Sequence, residues 1–209
     1  STIVTIGTFD GIHVGHQKIL KDLIDTAKKE SKKSVLLTFF PHPRMVLQKD
    51  KGILLLNTIN EKSFLLKKMG LDFLIIHPFS KEFSRWTALD FVRDVLVNKL
   101  NTSRLIIGYD HHFGKNREGN IHQLKEYSLL YGFDVEEIPA QDIDDVSVSS
   151  TKIRTALKLN SGNFSPVIYS KKVQKALRKA SVVESVTNTD YSGEIANFGD
   201  SVKIIKEPD

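Results

Sequence analysis

The sequence contains no cysteine. Disulfide scaffolds, zinc–thiolate sites, iron–sulfur clusters and a cysteine nucleophile are therefore excluded. Long apolar runs are missing too. Segments such as Phe73-Leu74-Ile75-Ile76 fall far short of the roughly 18 apolar residues that cross a bilayer, and no membrane partner is expected. No basic-then-apolar leader precedes the first strand-like run, which makes the cytoplasm the expected compartment. An excess of one charge is also lacking: 30 Lys+Arg against 25 Asp+Glu leave +5, without clustering. No segment reads as a nucleic-acid arm, and a small phosphorylated ligand suits this charge. Internal repeats and low-complexity tracts are absent. What the 209 residues do offer is an ordinary globular composition, 40% hydrophobic and 26% charged. That is enough for one good-sized domain, or for a domain with an appendage.

The first three quarters of the chain alternate strand and helix signals. Ile3 to Ile6 is a short β-rich run. From Gln17 to Glu30, Ile19, Leu20, Leu23, Ile24 and Ala27 share one helical face. Ser34 to Phe40 reads as a buried strand. Asn60 is the expected cap of a helix through Met69 that Gly70 ends, and Leu71 to His77 follows as a strand. Thr87 and Asp90 form a capping-box start for a helix to Leu100. Arg104 to Gly108 is the fourth strand. A helix over 121–131 stops at Gly132, Phe133 to Ile138 is the fifth strand, and a last helix starts near Ser149 or Ser150. This pattern predicts a five-stranded parallel sheet covered by helices on both faces. Ligands of such sheets sit beyond the carboxyl ends of the strands. The polar, glycine- and histidine-rich segments do follow strands: Gly7 to His16, Pro41 to Arg44, Gly108 to Gly119 and Pro139 to Asp145.

The most informative segment is Gly7-Thr8-Phe9-Asp10-Gly11-Ile12-His13-Val14-Gly15-His16, set between a strand and a helix. Its glycines permit a tight loop. His13 and His16 stand three apart at the start of a helical turn, so both rings can face one spot. That spot lies at a helix N-terminus, where free N–H groups and the dipole favour phosphate, and imidazoles there can donate to phosphate oxygens as charge builds in a transition state. A metal pair or two surface histidines are the alternatives for an isolated His-x-x-His. The strand–loop–helix context favours phosphate.

His-x-Gly-His after a first strand resembles the signature of the nucleotidylyltransferases. The longer form resembles the FAD synthetase branch, the adenylyltransferase module of bacterial bifunctional riboflavin kinase/FMN adenylyltransferases. Thr38-Phe39-Phe40-Pro41-His42-Pro43, Gly108-Tyr109-Asp110-His111-His112-Phe113-Gly114 and Ser149-Ser150-Thr151-Lys152-Ile153-Arg154 are similar to that family's later motifs, in the same order. The resemblance covers residues 1 to about 157 and implies a Rossmann-like transferase domain over 1–158. It implies that FMN attacks the α-phosphorus of ATP, giving FAD and pyrophosphate. His13, His16 and Arg154 are then the catalytic residues. Gly7, Phe9, Asp10, Gly11, Gly15, Ser150 and Thr151 are the ATP-binding set, and His42, Pro43 and Asp110 line the flavin side. Substrates are ATP and FMN with Mg2+. No metal-ligand set is assigned, because no carboxylate cluster designates one and the ion is expected on substrate oxygens. His111 and His112 depart from the family pattern and are read as structural. Asp142, Asp144 and Asp145 read as a solvated loop, and Trp86 and Tyr109 as packing.

Residues 159–209 read as a linker and tail without a riboflavin kinase domain, and no kinase activity is expected. Val167 to Val173, Asn188 to Ile195 and Gly199 to Val202 weakly resemble the N-terminal part of tailed-phage major capsid proteins. The tail is expected to be extended or docked on a neighbouring chain. Two alternatives stand beside the leading reading: another His-x-Gly-His nucleotidylyltransferase, and an assembly protein acting through its tail.

Overall fold

The structure, a computed structural model, describes residues 1–47, 53–108, 111–138, 142–143, 146–147, 149–160, 195–197 and 203–206. The elements run β1 (Thr2–Ile6), α1 (Val14–Lys29), β2 (Lys33–Phe40), α2 (Pro43–Leu47), α3 (Ile59–Met69), β3 (Phe73–Pro78), α4 (Ala88–Phe91), β4 (Thr102–Gly108), α5 (Ile121–Tyr131), β5 (Asp134–Ile138), β6 (Asp142–Ile143), β7 (Val146–Ser147), α6 (Ser150–Asn160), β8 (Ile195–Asn197) and β9 (Lys203–Lys206). The helix begun by α4 continues through Val92–Lys99 with wider turns, and Leu100 donates its N–H to the carbonyl of Val95.

Five strands form the expected parallel sheet, in the order β5-β4-β1-β2-β3. The chain winds outward from β1 to β3 and returns to β4 on the other side of β1. The strand order thus reverses between β1 and β4, where such sheets open a crevice at the carboxyl ends. The side-chain period of two explains why the strands read as continuous apolar runs. Val4, Val35, Leu37, Leu105 and Ile107 face one way, against Phe91, Val92, Val95, Leu96 and Leu124. Ile3, Leu36, Leu74 and Ile106 face the other way, against Leu20, Leu23, Ile24 and Ala27 of α1 and Leu66 of α3.

The tail contributes to this sheet. β9 pairs antiparallel with β3, from Phe73↔Lys206 to Ile76↔Lys203, and β8 pairs antiparallel with β9. The rest of the segments that resemble capsid proteins lies outside the described residues.

Local signals explain the helix boundaries. Asn60 is not the cap of α3. Thr58 is, because its hydroxyl accepts from the Glu61 N–H while the Glu61 carboxylate accepts from the Thr58 N–H, a reciprocal capping box. Thr87 and Asp90 form the same box on α4. Gly70 and Gly132 close α3 and α5 in the left-handed region, at φ of 86° and 72°.

Candidate active site

The loop from Gly7 to His13 leaves the carboxyl end of β1 and delivers the chain to α1. It is tightly wound: φ is 44° at Phe9, 85° at Gly11 and 36° at Ile12. Gly11 is required twice over. Its φ suits glycine, and a Cβ there would stand 2.6 Å from Cδ1 and 3.1 Å from Cβ of Leu56. One backbone bond and one side-chain bond fix the loop to β2: the Gly7 N–H donates to the Leu37 carbonyl at 3.0 Å and the Thr38 hydroxyl to the Thr8 carbonyl at 3.3 Å.

His13 is the N-cap residue of α1, but its side chain makes no capping bond. The first N–H groups of the helix are therefore left without a side-chain acceptor, an arrangement suited to an anion. The His13 and His16 rings stack, with centroids 3.6 Å apart and planes at 21°. Phe9 packs on His16 at 4.7 Å. A Cβ at Gly15 would stand 3.4 Å from the His13 ring, an ordinary contact distance. Burial pushes His13 down to about 4, against a weaker opposing pull from Asp10. His16 is held well below its ordinary value by burial first, then by His13 and Lys62. Both rings are thus neutral near pH 7, and the buried Nδ1 atom of each has no hydrogen-bond partner among the described residues.

Asp10 is 2% exposed and ties three segments together. Its Oδ1 accepts from the N–H groups of Leu56 at 2.9 Å and Asn57 at 3.3 Å. Its Oδ2 takes an ion pair from the Arg154 guanidinium. Arg154 also donates from Nε to the Leu54 carbonyl at 2.8 Å, and the Ser150 hydroxyl donates to the Asp10 carbonyl at 2.8 Å. The first motif and the last, 140 residues apart in sequence, therefore share one knot. Thr151 lies exposed on α6.

His42 is half-buried in the turn after β2. Its Nδ1 accepts from the Arg44 N–H at 3.2 Å, and its pKa is lowered by burial first. Pro43 opens α2, a position where its missing N–H costs nothing. Asp110, Tyr109, Asp144 and Asp145 lie outside the described residues. His111 stacks on Phe113 with centroids 6.0 Å apart, His112 is exposed, and Trp86 packs on Phe83 at 5.3 Å. Among the described residues no group of three or more His, Asp or Glu is placed to hold a metal. Asp10, the carboxylate nearest the loop, already carries an arginine and two N–H groups.

One residue of the site was not singled out in the sequence. Lys62, on α3, is 5% exposed and donates to the Thr8 carbonyl at 2.6 Å. Burial lowers its pKa to about 8, against the opposing pull of Asp10. In sequence it is one lysine among several on an amphipathic helix, and only the packing of α3 against the loop distinguishes it.

Residues 1–152 match the FAD synthetase family. The bifunctional riboflavin kinase/FMN adenylyltransferase of Buchnera aphidicola from Acyrthosiphon pisum is 34% identical over 160 residues, 77% of this chain and 51% of that protein. The Escherichia coli K12 protein of the same name is 34% identical over 155 residues, 74% of this chain and 50% of its own length. The FAD synthetase of Listeria monocytogenes is 32% identical over 159 residues, 76% of this chain and 64% of that protein. The chain thus spans about half the length of the bifunctional relatives it matches. A crystal structure described as a macrolide-efflux protein from Streptococcus pneumoniae shares the fold, with a TM-score of 0.66 and 28% identity over 75% of this chain and 50% of that one. Among the described residues no helix is long and apolar enough to cross a membrane. The family match spans the histidine loop, the turn after β2 and the start of α6, so the chain belongs to the FAD synthetase family.

Proposed function

We propose that residues 1–158 transfer AMP from ATP to FMN, releasing pyrophosphate and forming FAD, in the cytoplasm where both substrates occur. An oxygen of the FMN phosphate bonds to the α-phosphorus of ATP, and the bond from that phosphorus to the bridging oxygen of pyrophosphate breaks. The nucleophile is already ionised, so no protein base has to remove a proton. Positioning and charge stabilisation dominate such a step. The observation that carries the reading is the uncapped N-terminus of α1 with the stacked His13–His16 pair beside it. Phosphates placed there meet helix N–H groups and neutral imidazole donors. Gly7, Phe9, Gly11 and Gly15 shape the loop around them. Asp10 holds the loop to α6, where Arg154, Ser150 and Thr151 stand toward the phosphate end. His42, Pro43 and Asp110 form the flavin side. Magnesium enters as the ATP complex, because Asp10 is occupied and, among the described residues, no carboxylate cluster offers an alternative.

The test is FAD formation from FMN, ATP and magnesium by residues 1–209 and by residues 1–158, with riboflavin as a parallel substrate. FAD from FMN in both proteins, and no product from riboflavin, is the expected result. The truncation is expected to uncover the β3 edge that β9 covers while leaving turnover within about threefold, since the proposed site lies at the carboxyl end of β1. A folded protein that binds ATP but makes no FAD would overturn the flavin assignment. Loss of soluble folding on truncation would place residues 159–209 inside the transferase unit.

A further inference from the structure

The charge of the site is not where the histidines are. Transfer at phosphorus places negative charge on non-bridging and leaving oxygens, yet both imidazoles are held neutral and Arg154 is engaged by Asp10 and the Leu54 carbonyl. Among the described residues Lys62 is the remaining buried cation. Its position is adverse to a positive charge on two counts. It is almost wholly out of water, and it sits in the first turn of α3, four residues after the Thr58 cap, where the helix dipole repels cations. Among the described residues one acceptor, the Thr8 carbonyl, serves an ammonium that has three donors. That carbonyl belongs to the histidine loop and also receives the Thr38 hydroxyl of β2. The ammonium therefore lies where the loop after β1 meets the end of β2, and its charge reaches both His16 and His42.

Resting on the FMN adenylyltransferase reading, we propose that Lys62 is a further catalytic residue, whose ammonium leaves the Thr8 carbonyl partly free and donates to the phosphate oxygens between the ATP and FMN ends as the new phosphorus–oxygen bond forms. The groups that face it are Asp10 of the loop, His16 of α1 and His42 of the turn after β2, with Arg154 of α6 on the same Asp10 carboxylate. The histidines titrate on the acid side of neutrality, so an alkaline limb in the rate belongs to the ammonium. The lowered value of about 8 puts that limb within reach. It should appear in kcat/KM, which reports free enzyme, and move upward in kcat once bound phosphates favour the charged form.

The experiment measures FAD formation by the full chain, wild type, Lys62→Met and Lys62→Arg, over pH 6 to 9.5 and over both substrate concentrations. ATP binding and thermal melting are followed in parallel. Lys62→Met is expected to lower kcat about 100-fold or more, the scale of one lost oxyanion donor. Lys62→Arg is expected to recover part of that rate and to abolish the alkaline limb of kcat/KM, a change that a merely structural lysine would not cause. If Lys62→Met does not fold, the Lys62→Arg profile decides alone. A Lys62→Met rate within threefold of wild type, or an alkaline limb unchanged in Lys62→Arg, overturns the proposal while the flavin reading stands. Absence of FAD formation by the wild-type chain removes both.

Discussion

Replacing Lys62 by methionine should change how stability depends on pH, whatever it does to the reaction. The folded pKa of about 8 lies below the ordinary lysine value of roughly 10.4. Between these values the unfolded chain binds more protons than the folded one, so wild-type stability rises with pH through this window. Below about pH 8 both states are protonated, and the native state carries the full cost of a buried charge. At about 1.4 kcal/mol per pKa unit, the shift corresponds to about 3 kcal/mol at neutral pH. The lost bond to Thr8 (about 1.5–3 kcal/mol for a charged donor) offsets much of this in the variant. The absolute difference at pH 7 is therefore small, while its change with pH is not. Urea denaturation of both proteins at pH 7 and pH 10 should show the stability advantage of Lys62→Met over wild type shrinking by about 2 to 3 kcal/mol as pH rises. The other lysines and tyrosines cancel in this difference. A difference that stays constant within about 0.5 kcal/mol would mean that Lys62 is not charged and buried in the native state, and would refute the reasoning.

The histidine pair makes the opposite limb. Because His13 is pushed down to about 4 from roughly 6.5, the unfolded chain binds more protons as pH falls through this window, and about 2 kcal/mol of stability should be lost between pH 7 and pH 5. Denaturation of a His13→Gln variant should show a clearly flatter loss over the same range. Gly11→Ala should cost about 2 to 3 kcal/mol in urea denaturation, from the left-handed φ and the displaced Leu56 side chain together. A loss under about 0.5 kcal/mol would show that the loop can rearrange freely.

The fold was legible in the sequence because each of its signals is local. Leu20, Leu23, Ile24 and Ala27 mark one face of α1 and are the residues it buries. Gly70 and Gly132 end their helices as glycines in the left-handed region do. Thr87–Asp90 announces α4. The cap of α3 was misplaced by two residues, since Asn60 and Thr58 are both good caps and only the reciprocal partner Glu61 separates them. The pairing of β9 with β3 was not legible, because a register across more than 120 residues leaves no periodic trace. The loop of the candidate site was legible as a motif, but its wiring was not. That Asp10 engages Arg154, and that α6 is fastened to the loop by Ser150, depends on tertiary closure. Lys62 escaped notice for the same reason, as a lysine four residues before buried Leu66 reads as the edge of a polar face.

These departures from ordinary burial lie together. Around the carboxyl end of β1 the fold gathers two neutral stacked imidazoles, a buried carboxylate, a nearly dry ammonium and non-glycine residues at positive φ. Each costs stability, and elsewhere the core is aliphatic and aromatic, with His77 as the other buried titratable side chain among the described residues. A site that binds a polyphosphate explains the combination better than packing does. Neutral imidazoles can lie ring on ring where two imidazolium ions would repel, so in the proposed reaction His13 and His16 would supply shape and N–H donors without competing with Lys62 for the anion's charge. Burial keeps His16 neutral, and the His13 ring and the Lys62 ammonium add to it. Under the proposed transfer, the labour divides: the histidines and the helix N-terminus would fix where phosphate sits, and the buried lysine would supply the charge that the reaction needs there.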